Sequence, residues 1–102
     1  MGDAYMTAAE LLRELREQRG KSVRGAAADL GLTPSFLSRL ERGERGFGAE
    51  VSSRIANYYG VTTDLLALAE GRVPHDVLLI LREHPEEIEA LREKYRNTDN
   101  DE

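Results

Sequence analysis

Apolar residues recur along this chain at three- and four-residue intervals, the repeat of a helix with one buried face. Ala8, Leu11, Leu12 and Leu15 form the first such face, and Gly20 stops it. Ser22 can cap a second helix that turns Val23, Ala26, Ala27 and Leu30 inward and ends at Gly31. Thr33 can cap a third over residues 34–42, with Pro34 at its first position and Gly43 just past its end. Leu37 and Leu40 lie one turn apart on its inner side. The glycine-rich "GERGFG" reads as a loop. Residues 49–59 form a fourth helix, with Val51, Ile55 and Tyr58 or Tyr59 inward and Gly60 closing it. Thr62 or Thr63 caps a fifth, which holds Leu65, Leu66 and Ala69 and closes at Gly71.

The pattern then changes. Pro74 can start a sixth helix whose run Val77–Leu81 is apolar on every side. Pro85 interrupts it. Glu86 and Glu87 suit the start of a seventh helix, because carboxylates are favourable beside a helix N-terminus. That helix reaches about residue 96, with Ile88, Leu91 and Tyr95 on one face. The final "NTDNDE" is polar and acidic and reads as disordered. No alternating strand pattern and no internal repeat occurs. The expected fold class is all-α: a domain over 1–72, a two-helix extension over 73–96, and an acidic tail over 97–102.

Length and composition narrow the function classes. A chain of 102 residues with 40% hydrophobic positions supports one modest core. Cysteine is absent, which excludes disulfides and thiolate chemistry and fits a reducing, cytoplasmic setting. The N-terminus lacks the features of a signal peptide. The Val77–Leu81 run is far below the ~20 apolar residues of a membrane span. Net charge is −5, but it is unevenly spread. Residues 73–102 hold four basic and nine acidic residues, and residues 1–72 sum to zero. Within them, residues 13–54 hold nine basic and six acidic residues, so the middle of the chain is locally basic.

The third helix is short, and its brevity has a use. "GLT" makes a tight turn between helices 2 and 3, where Leu32 can plug the core. Two short helices joined in this way form a helix-turn-helix unit, whose second helix enters the DNA major groove. Such a helix needs only a few turns to reach base edges. Small residues at its front let the backbone approach DNA, and its unpaired N–H groups favour phosphate.

The stretch "SVRGAAADLGLTPSFLSRLERGERGFGAEVSSRIANYYGVTTDLL" resembles the Cro/phage-repressor type of helix-turn-helix, the XRE family, over about residues 9–70. The most specific features are "LSRLERG" and the helix end carrying Ile55-Ala56 and Gly60-Val61. The resemblance implies a five-helix, lambda-repressor-like domain plus the C-terminal two-helix extension, and a pair between Glu41 and Arg16. It also implies a set of DNA contacts. Thr33, Pro34 and Ser35 would lie at the groove, with Ser38 and Arg39 on the exposed face behind them. Arg39 is the base reader, since a guanidinium can donate two hydrogen bonds to a guanine edge. Arg42 and Arg45 would hold the backbone on one side, and Ser22 and Arg24 on the other. Two positions depart from the family pattern. Val23 stands where many members anchor phosphate with glutamine, and Pro34 where some read a base with glutamine. Gly25 also weakens helix 2 by roughly 1 kcal/mol relative to alanine.

Other chemistry finds little support. His75 and His84 are nine apart with no cysteine and no helix-spaced partner, so no metal site is expected. Glu86, Glu87 and Glu89 match a helix start. "GERGFG" lacks the Lys-Ser/Thr of an NTPase loop. No catalytic constellation and no cofactor site is expected. The reading is a sequence-specific regulator of transcription, a dimeric repressor bound to a double-stranded DNA operator. Val77, Leu78, Ile80, Leu81, Ile88 and Leu91 need a second burial, either back against helices 1 and 5 or, as this reading has it, against a second copy. Two alternatives use the same extension. One is an antitoxin that represses its own operon and binds a toxin there; the other is a protein-interaction module with the helix-turn-helix kept as scaffold.

Overall fold

Seven α-helices carry the backbone of residues 6–99, which the computed structural model describes together with the side chains of residues 6–96. They are α1 (Ala8–Gln18), α2 (Val23–Leu30), α3 (Pro34–Glu41), α4 (Gly48–Tyr59), α5 (Thr63–Ala69), α6 (His75–Glu83) and α7 (Glu86–Asp99). No strand occurs among the described residues. The chain divides into two compact units, Met1–Arg72 with α1 to α5 and Val73–Glu102 with α6 and α7.

In the first unit, side-chain oxygens set four of the five helix starts. Thr7 and Glu10 form a reciprocal capping box on α1. Ser22, Thr33 and Thr62 accept hydrogen bonds from the amides of Gly25, Phe36 and Leu65 at 3.0–3.1 Å. The helices then close on one another: α1 packs on α3 and α5, α2 on α3 and α4, and α4 on α5. Leu12, Leu37, Leu40, Ile55 and Leu66 are wholly buried where these helices meet, joined by Ala26, Ala27, Leu30 and Tyr59. Each large side chain so buried contributes roughly 1.5–3 kcal/mol.

The inner faces read from periodicity recur, with instructive exceptions. Leu11, Leu15, Val23 and Val51 are half-buried at the rim of the core, and Leu32 packs against it from the turn. Of the two tyrosines, Tyr59 is the buried one. Of the apolar residues of α5, Leu66 is wholly buried while Leu65 is 43% exposed. The inner face of α5 centres between Leu66 and Ala67, which leaves Leu65 turned to the side. A helix of seven residues spans under two turns, too few for periodicity to fix its rotation. Phe47 in the glycine-rich loop is buried, as is Ser52, and neither was placed in the core from the pattern. The Phe47 N–H donates to Glu70 at 3.0 Å, so the loop that ends α3 is clamped to the end of α5.

One ion pair ties α3 to α1. Arg16 Nε and Nη2 donate to the two carboxylate oxygens of Glu41 at 2.7 and 2.9 Å. Arg16 Nη1 also donates to the Lys21 carbonyl at 3.0 Å. The side chains of Arg16 and Glu41 are only 13% and 6% exposed. The parallel fork geometry compensates their loss of water. The hydrogen bond to Glu41 raises the Arg16 pKa above its ordinary value, against the opposing effect of burial.

In the second unit, α6 and α7 are joined through His84 and Pro85 and touch each other, yet α6 has no buried residue. Pro74 precedes α6, and the helix break falls at Pro85, both as expected. α7 continues to Asp99, beyond the boundary expected at residue 96. Asn97, Thr98 and Asp99 include no glycine or proline, so nothing in the backbone chemistry stops the helix there. The rest of the expected disordered tail, residues 100–102, lies outside the described residues.

Glu41→Gln leaves the Arg16 charge buried without its counter-charge. It should lower unfolding stability by about 3 kcal/mol in urea titration; a loss under about 0.5 kcal/mol would show that the pair does not hold α3 in place.

Candidate nucleic-acid interface

The turn between α2 and α3 is fixed by backbone chemistry. Gly31 sits at φ 74°, in the left-handed region where a side chain is strained. Its neighbour Leu32 donates to the Ala27 carbonyl at 2.8 Å, and Gly31 itself to Ala28 at 3.2 Å, which closes α2 with two reverse bonds. Arg54 of α4 reaches across to the same corner. Its Nη1 donates to the Leu30 and Gly31 carbonyls, each at 3.2 Å. A Cβ on Gly31 would stand 3.0 Å from that nitrogen, so both the backbone angle and the space favour glycine. Thr33 and Pro34 follow directly and start α3.

This corner leaves the front of α3 open. Thr33, Pro34, Ser35 and Arg39 are exposed, and Ser38 is half-buried. Leu37 and Leu40 face the core, and Glu41 turns to Arg16, so α3 has a buried back and an open front. Ser22 and Arg24 are exposed at the start of α2. The hydroxyls of Ser22 and Thr33 accept cap bonds, which leaves each O–H able to donate to an external acceptor.

Charge pairing sorts the cations into two groups. Between residues 22 and 54 the carboxylates are Asp29, Glu41, Glu44 and Glu50. Each is ion-paired, with Lys21, Arg16, Arg42 and Arg54 respectively. Arg24, Arg39 and Arg45 have no carboxylate partner among the described residues. The unneutralised charge on this part of the surface is therefore positive. Asp29 also accepts the Tyr58 hydroxyl, and hydrogen bonds from Tyr58 and Lys21 hold its carboxyl below the usual range.

Arg42 and Arg45 sit in the loop after α3 but differ in state. Arg42 donates through Nε and Nη2 to the two oxygens of Glu44 at 2.8 and 3.2 Å. Arg45 lies over the Phe36 ring, 5.3 Å from its centre, a cation–π placement that limits where the guanidinium can go. Arg13 lines a recess of about 320 Å³ together with Arg16, Ser38, Glu41 and Arg42.

All nine positions singled out from the sequence therefore lie at the turn, at the starts of α2 and α3, along the front of α3, or in the loop that follows. Sequence reasoning missed the residues that set their geometry. Arg54 gives no signal in the sequence, because its partners are carbonyls 23 and 24 residues away. Phe36 is half-buried at the edge of the core, and its sequence position gives no sign of the arginine it meets. Glu41 pairs with Arg16, as the resemblance implies, and it is Glu44 that neutralises Arg42.

Comparison with known proteins agrees with this architecture. Over 62 residues the chain is 39% identical to the HTH-type transcriptional regulator DdrOP3 of Deinococcus deserti (strain DSM 17065 / CIP 109153 / LMG 22923 / VCD115), a stretch covering 60% of this chain and 48% of that protein. The chain thus spans about half the length of the curated relative it matches. In fold it is similar to the crystal structure of the clp gene regulator ClgR from C. glutamicum, with a TM-score of 0.54 and 23% identity over 63% of this chain and 83% of that one. The family profile described as "Helix-turn-helix domain" matches residues 8–69, from the first residue of α1 to the last of α5. That span is more than half of the sequence, and the chain belongs to the helix-turn-helix domain family.

Proposed function

We propose that this protein is a sequence-specific, double-stranded-DNA-binding regulator of transcription that acts as a dimeric repressor. The observation that carries the reading is the front of α3. Small polar residues and an exposed Arg39, which has no carboxylate partner among the described residues, project beside the starts of two helices. The kinship with a transcriptional regulator supports the same reading. In it, α3 lies in the major groove. Arg39 donates to a guanine edge, with Ser35 and Ser38 beside it as adaptable donors and acceptors. Thr33 and Pro34 bring the backbone close. Ser22, Arg24, Arg42 and Arg45 contact phosphate and set the register without reading sequence.

Exposed apolar residues of the second unit support the dimer. Val77, Leu78, Ile80, Ile88 and Leu91 are 39–52% exposed, and Leu81 is half-buried. Leu79 and Tyr95 add to that open apolar surface. A helix apolar on every side is normally buried. A second copy would cover it and place two α3 helices on paired half-sites, one helical turn or ~34 Å apart. An antitoxin or interaction-module reading would use the same surface for a different protein.

Arg39→Ala should cost about 1–3 kcal/mol of affinity for the preferred site and relax selectivity at one base pair. Unchanged affinity and selectivity in gel-shift titration would remove Arg39 from the interface. Arg45→Ala should weaken all duplexes alike and flatten the salt dependence by about one unit of slope; a loss confined to one sequence would contradict the phosphate role. Light scattering after size-exclusion chromatography should return the mass of a dimer at micromolar concentration. A monomer there would overturn the proposed use of Val77–Leu81.

A further inference from the structure

The loop after α3 carries a feature that phosphate binding does not call for. Glu44 is tied by its backbone: its N–H donates to the Arg39 carbonyl at 3.0 Å, while that of Gly43, at φ 76°, donates to Leu40 at 3.2 Å. These two bonds form the closing motif of α3. Phe47, three residues on, is clamped by Glu70. The Glu44 carboxylate is thus presented from a fixed backbone beside the last turn of α3, where it takes both Arg42 nitrogens at 2.8 and 3.2 Å. Nothing in helix stability favours this. A carboxylate at a helix C-terminus opposes the macrodipole, which favours cations there. Both side chains are more than half exposed, 57% and 52%, so the pair adds little to the fold.

We infer that Glu44 is an internal competitor for DNA phosphate: it occupies the Arg42 guanidinium in the unbound protein and must be displaced when that guanidinium engages the backbone. The inference rests on the DNA-binding reading and adds a residue that tunes it. The pair presents a carboxylate in the geometry a phosphate would take, since guanidinium binds both anions through the same two-pronged fork. Glu44 therefore lowers affinity for every duplex by a similar factor. A full set of contacts along α3 can bear that reduction, whereas phosphate contacts alone bear it poorly. Arg45 has no such competitor among the described residues; it lies over the Phe36 ring instead. The two arginines of one loop thus play different parts: Arg45 always attracts DNA, and Arg42 does so only at the expense of Glu44.

The test is a double-mutant cycle on binding to a selected operator and to an unrelated duplex, read across a salt series. The four proteins are the wild type, Glu44→Gln, Arg42→Gln and the double variant. Wild-type protein that binds neither duplex with a salt-dependent affinity would sink the DNA reading itself, and the inference with it. Given wild-type binding, Glu44→Gln should tighten both duplexes about two- to fivefold near 0.1 M salt. It should also steepen the log–log salt slope by up to about 0.9, one further phosphate neutralised. In the Arg42→Gln background the same change should have a much smaller effect, since only the repulsion between carboxylate and phosphate is then relieved. An equal gain in both backgrounds would make Glu44 a distant repulsive charge, not a competitor, and would overturn the inference. So would the absence of any gain from Glu44→Gln in the otherwise wild-type protein. Both positions are exposed, and unchanged thermal melting of the variants separates these results from misfolding.

Discussion

The fork between Arg16 and Glu41 is the interaction on which the surface of this protein depends. It joins the last turn of α3 to α1 at 2.7 and 2.9 Å, in a place from which water is largely excluded. Leu37 and Leu40 bury the same side of α3, so one polar and two apolar anchors fix the helix's rotation. Rotation matters because side chains four residues apart share a face while immediate neighbours do not. With Glu41 and Leu37 inward, Ser35 and Arg39 must point out together. A buried pair of this kind is a poor source of net stability, but removing half of it is costly. Its contribution is orientation: few other arrangements of α3 satisfy both charges.

The same pair has an electrostatic consequence. Turning Glu41 inward removes one carboxylate from the neighbourhood of Arg42, and Asp29 and Glu50 are absorbed by Lys21 and Arg54. An acidic protein of net charge −5 thereby keeps a surface on which Arg24, Arg39 and Arg45 stand without a carboxylate partner among the described residues. Net charge describes long-range behaviour in solution, whereas recognition depends on which charges are left unpaired at close range. Glu44 is the one acidic group in the loop after α3, which makes its choice of Arg42 over Arg45 consequential.

Much of the first unit was legible in the sequence because its signals are local. Ser22, Thr33 and Thr62 cap helices through bonds to amides three residues on, and Gly31 and Gly43 end helices through their own backbone angles. Apolar spacing then assigned the inner faces of α1 to α4. What escaped depends on distant partners. Phe47 is buried although it sits among glycines, because Glu70 draws its loop onto α5. Arg54 supports the turn through carbonyls of α2 and Gly31, and a carbonyl has no residue-type signature. The inner face of α5 was not legible, because seven residues are too few for a period to be measured. In the candidate interface, the positions came from the pattern and the family resemblance. The pairing of Arg42 with Glu44 and the stacking of Arg45 on Phe36 required the fold.

The DNA-reading role proposed for the small polar front of α3 can be put to selection of bound sequences from a random pool of double-stranded DNA, since no prior guess about the operator enters. The expected outcome is enrichment of a short motif that repeats in inverted orientation, with half-site centres about one helical turn apart and a strongly preferred guanine in each. A pool that stays random after repeated rounds, with binding retained by salt-sensitive attraction alone or not at all, would contradict it.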